Sequence, residues 1–224
     1  MFDFAAARRM MVDTQVRPSD VTDLRLIAAM LDVPREGFVP LDKQALAYLD
    51  LDVPVVMPAA GGRPARYLLK PMVLAKLIQT AEIAPTDRVL DVGCATGYSA
   101  AIISRLAESV VALEEDSELA TAAARRLADL GTRNVTIERR GLTAGWPSGA
   151  PYDVIVLQGA VAVPPKTLFA QLKEGGRLVC VLEEGPVGRA MLYRCRNGHV
   201  SGRAMFDAAA PELPGFAAPA EFIF

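Results

Sequence analysis

The sequence predicts an α/β protein: a doubly wound, mostly parallel sheet, preceded by a helical N-terminal extension and closed by an antiparallel C-terminal hairpin. Three observations carry this. From Thr86 onward, short β-branched and aliphatic runs alternate with stretches of helical spacing, and such alternation implies right-handed crossovers between parallel strands. The first run, Arg88-Val89-Leu90-Asp91-Val92, leads through Gly93-Cys94-Ala95-Thr96-Gly97 into Tyr98–Leu106, which reads as strand, tight turn and helix. Near the end, Asn197-Gly198 separates Met191–Arg196 from Ala204–Asp207, and that dipeptide favours a two-residue hairpin turn.

Residues 4–15 have helical composition and end near Arg17-Pro18, where proline interrupts a continuing helix. Ser19–Asp23 offers a capped start for a helix whose packed face carries Leu24, Ile27, Ala28 and Leu31. Pro34, Pro40, Pro54 and Pro58 then argue against a long regular element. Ala59–Ala65 is a Gly- and Pro-rich loop with Arg63 and Arg66 exposed on or near it. Pro71 suits the first turn of a helix through Met72, Leu74, Ala75, Leu77 and Ile78. The division expected is an N-terminal helical extension with a loop over residues 1–80 and the main domain over 81–224.

Within that domain the expected elements are strand Val89–Val92, helix 98–107, strand Val110–Leu113 and helix 117–130 ended by Gly131. Strands at 134–137 and 152–157, a helix near 165–173, a strand at 175–182 and the hairpin follow. The tail from Pro211 carries Phe216, Phe222 and Phe224 and is expected to pack, since disordered tails are poorer in aromatics.

A chain of 224 residues with 52% hydrophobic and 22% charged content buries one full core and a small appendage. A formal net charge of −2 gives no general field toward nucleic acid or an anionic membrane. Cys94, Cys180 and Cys195 have no C-x-x-C spacing and fit a reducing compartment, each as a small buried residue. His199 is the only histidine, which excludes a multi-histidine metal site, and no metal is expected. No run approaches a membrane span and the N-terminus has no long apolar core before a cleavage site, so the expected location is cytoplasmic.

The glycine turn bears the chemistry. Glycine permits positive φ and close approach of a ligand to the backbone, while the first amides of the following helix favour an anion above the strand end. Val110–Leu113 ends at Glu114, seventeen positions after Gly97, where an acid suits a ribose diol. Asp91 and Glu114 therefore fall at the carboxyl ends of neighbouring strands, with Gly141 and Gln158 at two others. A dinucleotide fingerprint needs glycine at the first, third and sixth turn positions, and here these are Gly93, Ala95 and Tyr98. Two of the three fail. Gly93, Ala95 and Gly97 instead resemble the G-x-G-x-G turn of class I S-adenosylmethionine-dependent methyltransferases, although a nicotinamide or flavin site, or glycines that merely turn the chain, stay open on spacing alone.

Over nearly its full length the sequence resembles the protein-L-isoaspartate O-methyltransferase family. The resemblance rests on Met30, Val33-Pro34-Arg35-Glu36-Gly37-Phe38-Val39-Pro40, Ala47-Tyr48-Leu49-Asp50, Asp91 through Ala101, and Leu130-Gly131 with Asn134-Val135. Gly145-Trp146-Pro147, Ala150-Pro151-Tyr152-Asp153 and Gln171-Leu172 before Gly175-Gly176-Arg177-Leu178-Val179 add to it. It implies a Rossmann-like, doubly wound, mostly parallel seven-stranded sheet, S-adenosyl-L-methionine as cofactor, and methylation of the isoaspartyl carboxylate in damaged proteins. The cofactor residues implied are Asp91, Gly93, Cys94, Ala95, Gly97, Tyr98, Glu114, Glu115, Gly141 and Leu142. Among them Glu114 serves the ribose, Asp91 the methionine end and Leu142 the adenine edge. The substrate-side candidates are Arg66, Leu68, Leu69 and Gln158.

Two departures accompany the resemblance. The family's segment before this helix reads approximately Gly-Gln-Thr-Ile-Ser-Gln-Pro, and the register fixed by Pro71 puts Leu69 at the serine, so the catalytic residue is unassigned. The family's Gly-Asp-Gly after the third strand is Arg140-Gly141-Leu142. Arg63, Arg66 and Lys70 either redirect an anionic acceptor or form a solvated basic loop. The acceptor expected is a protein or peptide carboxylate, with a small-molecule acceptor as the alternative. A non-catalytic module that binds the cofactor and docks to a partner through residues 1–80 or the tail is the rival from another class.

Overall fold

The computed structural model describes residues 3–58, 64–184 and 187–218. Helix α1 (Phe4–Met11) starts at Asp3, whose carboxylate accepts from the Ala6 amide at 2.9 Å. The chain does not stop at Pro18: a wide π turn at Val12–Val16 passes into a 3-10 turn at Arg17–Ser19, whose first positions tolerate proline because their amides need no partner. Helix α2 (Leu24–Asp32) is capped by Asp23, which accepts from the Arg25 and Leu26 amides. Its buried residues are Leu26, Ile27, Ala29 and Met30, while Leu24 is exposed. The expected stripe thus shares only Ile27 with the buried one, because the helix begins after Asp23 and is packed along a second row.

Strands β1 (Val53–Val56) and β2 (Arg66–Leu68) form a small antiparallel ribbon that the sequence did not lead us to expect. Its register shifts between Pro54 and Val56, a tolerated place for a residue without an N–H. Helix α3 (Pro71–Thr80) has Pro71 at its first position, as expected.

The main sheet follows: β3 (Arg88–Val92), α4 (Tyr98–Ile103), β4 (Ser109–Glu114), α5 (Ser117–Asp129), β5 (Val135–Arg139), β6 (Tyr152–Val161), α6 (Lys166–Phe169), β7 (Leu172–Leu182), β8 (Arg189–Arg196) and β9 (His199–Asp207). Its order is β5-β4-β3-β6-β7-β8-β9, parallel through β7 and antiparallel at β8 and β9, as the fold class required. Asn197 and Gly198 take φ of 52° and 73° in the β8–β9 turn. Helix α4 is shorter than expected, because the Arg105 and Leu106 amides tighten onto the carbonyls three residues back. Helix α6 ends early because Leu172 already pairs with Tyr152 in the sheet.

All ten residues of β6 are buried, as a central parallel strand covered on both faces requires. The strand order reverses between β3 and β6, which opens a crevice beyond their carboxyl ends. After β9 the chain returns across that crevice. The Ala160 amide donates to Pro211 O at 2.8 Å, Leu213 N to Ala160 O at 2.9 Å and Ala162 N to Phe216 O at 2.9 Å. The tail therefore packs through Phe216, and Phe222 and Phe224 lie outside the described residues. Among the described residues no helix is long and apolar enough to cross a membrane, and no three His, Cys, Asp or Glu side chains are grouped to hold a metal.

Candidate active site

The turn after β3 takes positive φ at Gly93 (80°), Ala95 (50°) and Gly97 (94°). At Gly97 the requirement is also steric, since a Cβ there stands 3.1 Å from the Ala123 Cβ of α5. Parallel pairing of β3 with β4 matches Asp91 to Ala112 and Val92 to Leu113, so Glu114 lies one residue past the last matched pair, level with the start of the glycine turn.

Glu114 is wholly buried and its carboxylate is fully engaged. The amide of Ala95 donates to Oε2 at 2.8 Å, and those of Glu115 and Asp116 donate to Oε1 at 3.0 and 3.1 Å. The fourth donor is Arg66, whose Nη1 lies 2.7 Å from Oε1 while its Nη2 donates to Gly93 O at 3.0 Å. Arg66 is 4% exposed, so the expectation of an exposed loop residue is wrong. Strand β2 turns the side chain inward, where a buried carboxylate and a free carbonyl satisfy it.

Asp91 is fully buried and accepts from Ser99 Oγ at 2.7 Å and Gln158 Nε2 at 2.6 Å. Burial pushes its carboxyl up to about 7; those two hydrogen bonds oppose the shift, and nearby Glu114 adds to it. Burial holds the Cys94 thiol well above its ordinary range, with Glu114 and Asp91 adding to the effect, so Cys94 is an inert packing residue. Tyr98 is buried under the guanidinium of Arg35, 4.8 Å from its ring centre, and burial raises its phenol. Burial also raises the partly buried Glu115 carboxyl, against an opposing hydrogen bond from the Leu142 amide. Leu142 is buried and Gly141 exposed.

Leu68 and Leu69 are both buried, and Leu69 O accepts from Arg35 Nη2 at 2.8 Å. Together with Gly93, Cys94, Tyr98, Ser99 and Gln158 they line a cavity of about 10 Å³. The structure thus brings the glycine turn, Asp91, Glu114, Gln158 and the Leu68–Leu69 pair to one place. Lys70 is held through its amide, which donates to Asp52 at 2.8 Å, and Arg63 lies outside the described residues.

Sequence reasoning missed how three neighbours are placed at this site, although Arg66 stood among its substrate-side candidates. Arg35 was legible only as a motif member, although it is entirely buried. Arg66 sits beside a Gly- and Pro-rich loop, a context that ordinarily means exposure. Leu213 reaches Gly93 from the C-terminal segment: a Cβ built on Gly93 meets Leu213 Cδ2 at 2.8 Å and Arg66 Nη2 at 3.2 Å. No local sequence pattern announces either long-range contact.

The sequence model of the family described as protein-L-isoaspartate(D-aspartate) O-methyltransferase matches residues 7–208. The chain belongs to the protein-L-isoaspartate O-methyltransferase family. A relative of that name from Koribacter versatilis is 38% identical over 212 residues, covering 95% of this chain and 92% of its own. One from Rhodopseudomonas palustris is 42% identical over 169 residues, covering 75% of this chain and 74% of its own. A solved protein-L-isoaspartate O-methyltransferase superposes with a TM-score of 0.78 at 27% identity, over 93% of this chain and 66% of that longer one. A Plasmodium falciparum structure, titled a putative member in complex with S-adenosyl-L-homocysteine, shares the fold with a TM-score of 0.74 at 19% identity, over 95% of this chain and 99% of that one.

Protein-L-isoaspartate O-methyltransferases are S-adenosylmethionine-dependent transferases, and this chain carries their seven-stranded sheet and acid–glycine turn. The donor set suits that cofactor: a tight turn with positive φ, a buried acid at each of two strand ends and an apolar Leu142. The space does not yet suit it. Small-molecule sites enclose roughly 300–1,000 Å³, and here Arg66 and Leu213 fill the gap over Gly93.

Proposed function

We propose that this chain methylates a carboxylate of a protein or peptide substrate, with the isoaspartyl carboxylate of its family as the first candidate. The observation that supports this most is the placement of two buried acids, Asp91 and Glu114, near the carboxyl ends of the neighbouring strands β3 and β4 beside the Gly93–Gly97 turn, in a chain that matches the family from residue 7 to 208. When bound, S-adenosylmethionine supplies a sulfonium-activated methyl group, and an acceptor carboxylate is already ionised at neutral pH. No general base is therefore required, and the protein's work is to position the acceptor and exclude water.

Glu114 is the residue to hold the ribose hydroxyls and Leu142 the one to meet the adenine edge. Asp91, fixed by Ser99 and Gln158, faces the methionine end, with Cys94, Ala95, Tyr98, Glu115 and Gly141 around them. On the acceptor side Leu68 and Leu69 give an apolar wall, and the hydroxyl that the family places at position 69 is missing. Loss of one oriented donor costs roughly two to three orders of magnitude in rate. Transfer by the wild type is accordingly slow, and Leu69→Ser accelerates it.

The test is incorporation of labelled methyl as a base-labile ester into an isoaspartyl peptide, with the normal aspartyl peptide as control. Ester on the isoaspartyl peptide that rises in Leu69→Ser supports the assignment. Label in neither peptide, with wild type and Leu69→Ser alike, rules out isoaspartate as the acceptor.

A further inference from the structure

We infer that Arg66 is an internal occupant of the cofactor cleft, and that together with Leu213 it keeps the cleft shut until the nucleoside displaces both. This rests on the methyltransferase assignment and adds a control step to it. The guanidinium takes the carboxylate proposed for the ribose, at 2.7 Å from Glu114 Oε1, and the Gly93 carbonyl at 3.0 Å. Leu213 covers what Arg66 leaves: Cβ atoms built on Gly93 and Gly159 fall 2.8 Å from its Cδ2 and 2.7 Å from its Cγ. Two segments far apart in sequence, β2 and the return across β6, thus converge on the turn over which a nucleoside lies in this fold.

The closure is built to be reversible. A buried ion pair gives little net stability, because most of its attraction is spent on desolvating the two charges. When Arg66 swings out it regains its hydration, and Glu114 keeps the amides of Ala95, Glu115 and Asp116. The C-terminal strap is tied to Ala160 of β6 by two backbone hydrogen bonds, at Pro211 and Leu213, and to Ala162 just past that strand by a third, at Phe216. Binding therefore selects the open form, and apparent affinity falls by the fraction of molecules that are open.

Calorimetry with S-adenosylhomocysteine tests this on the full chain, comparing wild type, Arg66→Gln, Leu213→Ala and the double variant. Leu213→Ala probes closure without touching the ion pair, so it serves even if Arg66→Gln folds poorly. The expected result is binding at least tenfold tighter in either single variant, tighter still in the double one, and lost again when Glu114→Ala is added to Leu213→Ala. Equal affinity in wild type and variants overturns the closure while leaving the methyltransferase assignment intact. No binding by any of them, the double variant included, removes the cofactor assignment and the closure with it.

Discussion

Cutting the buried ion pair from each side in turn gives unequal costs, and the inequality follows from the donor count at Glu114. Arg66→Met removes one of four donors to that carboxylate and leaves three backbone amides at 2.8, 3.0 and 3.1 Å. An anion that keeps three good donors stays largely compensated, so the loss is that of one charged hydrogen bond, about 1.5–3 kcal/mol. Glu114→Ala is worse. It orphans those three amides and leaves the 4%-exposed guanidinium with only the Gly93 carbonyl, the situation for which about 3–5 kcal/mol is usual. Restoring neutrality in the Arg66→Met, Glu114→Ala double variant then recovers part of the sum, with a coupling of about 1 kcal/mol or more. Urea denaturation of the four proteins, read by fluorescence of Trp146 and by far-UV circular dichroism, measures all three quantities. Equal costs for the two single variants, or strict additivity in the double, would refute this account of the site's electrostatics.

Two further substitutions have definite signs. Asp91 titrates in the fold at about 7, above its unfolded value, so its contribution to stability is fully present below pH 4 and is lost as pH rises through 7. Asp91→Asn can keep both hydrogen bonds, accepting from Gln158 and donating to Ser99 Oγ, and should gain stability relative to wild type between pH 5 and 8; denaturation at the two pH values showing a constant difference would contradict this. Gly97→Ala combines a positive φ of 94° with a Cβ 3.1 Å from Ala123 Cβ. Left-handed strain and overpacking together predict a loss of about 2–4 kcal/mol, seen as a lowered urea midpoint.

The main sheet was legible because parallel strands buried on both faces leave continuous aliphatic runs, such as Val154-Ile155-Val156-Leu157, that few other structures explain. Asp23 and Asp116 cap α2 and α5, and the Asn197-Gly198 turn fixed the last two strands. The N-terminal ribbon was hidden because prolines flank and interrupt it, and no sequence rule foretells that β1 and β2 satisfy each other. The acids and glycines of the site were visible by spacing, since the strand–turn–helix unit places them locally. What covers them was not. Arg66 and Glu114 are 48 residues apart, and an arginine beside a Gly-Pro loop reads as solvated unless the tertiary fold turns it inward. Leu213 lies in a Pro-flanked segment whose packing depends on its hydrogen bonds to Ala160 of β6 and on no pattern of its own.

A crystal structure grown with saturating S-adenosylhomocysteine decides whether the nucleoside takes the place that Arg66 and Leu213 hold. The expected structure has adenosine over the Gly93–Gly97 turn, ribose hydroxyls on Glu114, and the Arg66 guanidinium withdrawn from that carboxylate together with Leu213. Arg66 still bonded to Glu114 with no nucleoside in the crevice, or the nucleoside bound at another place on the sheet, would contradict it.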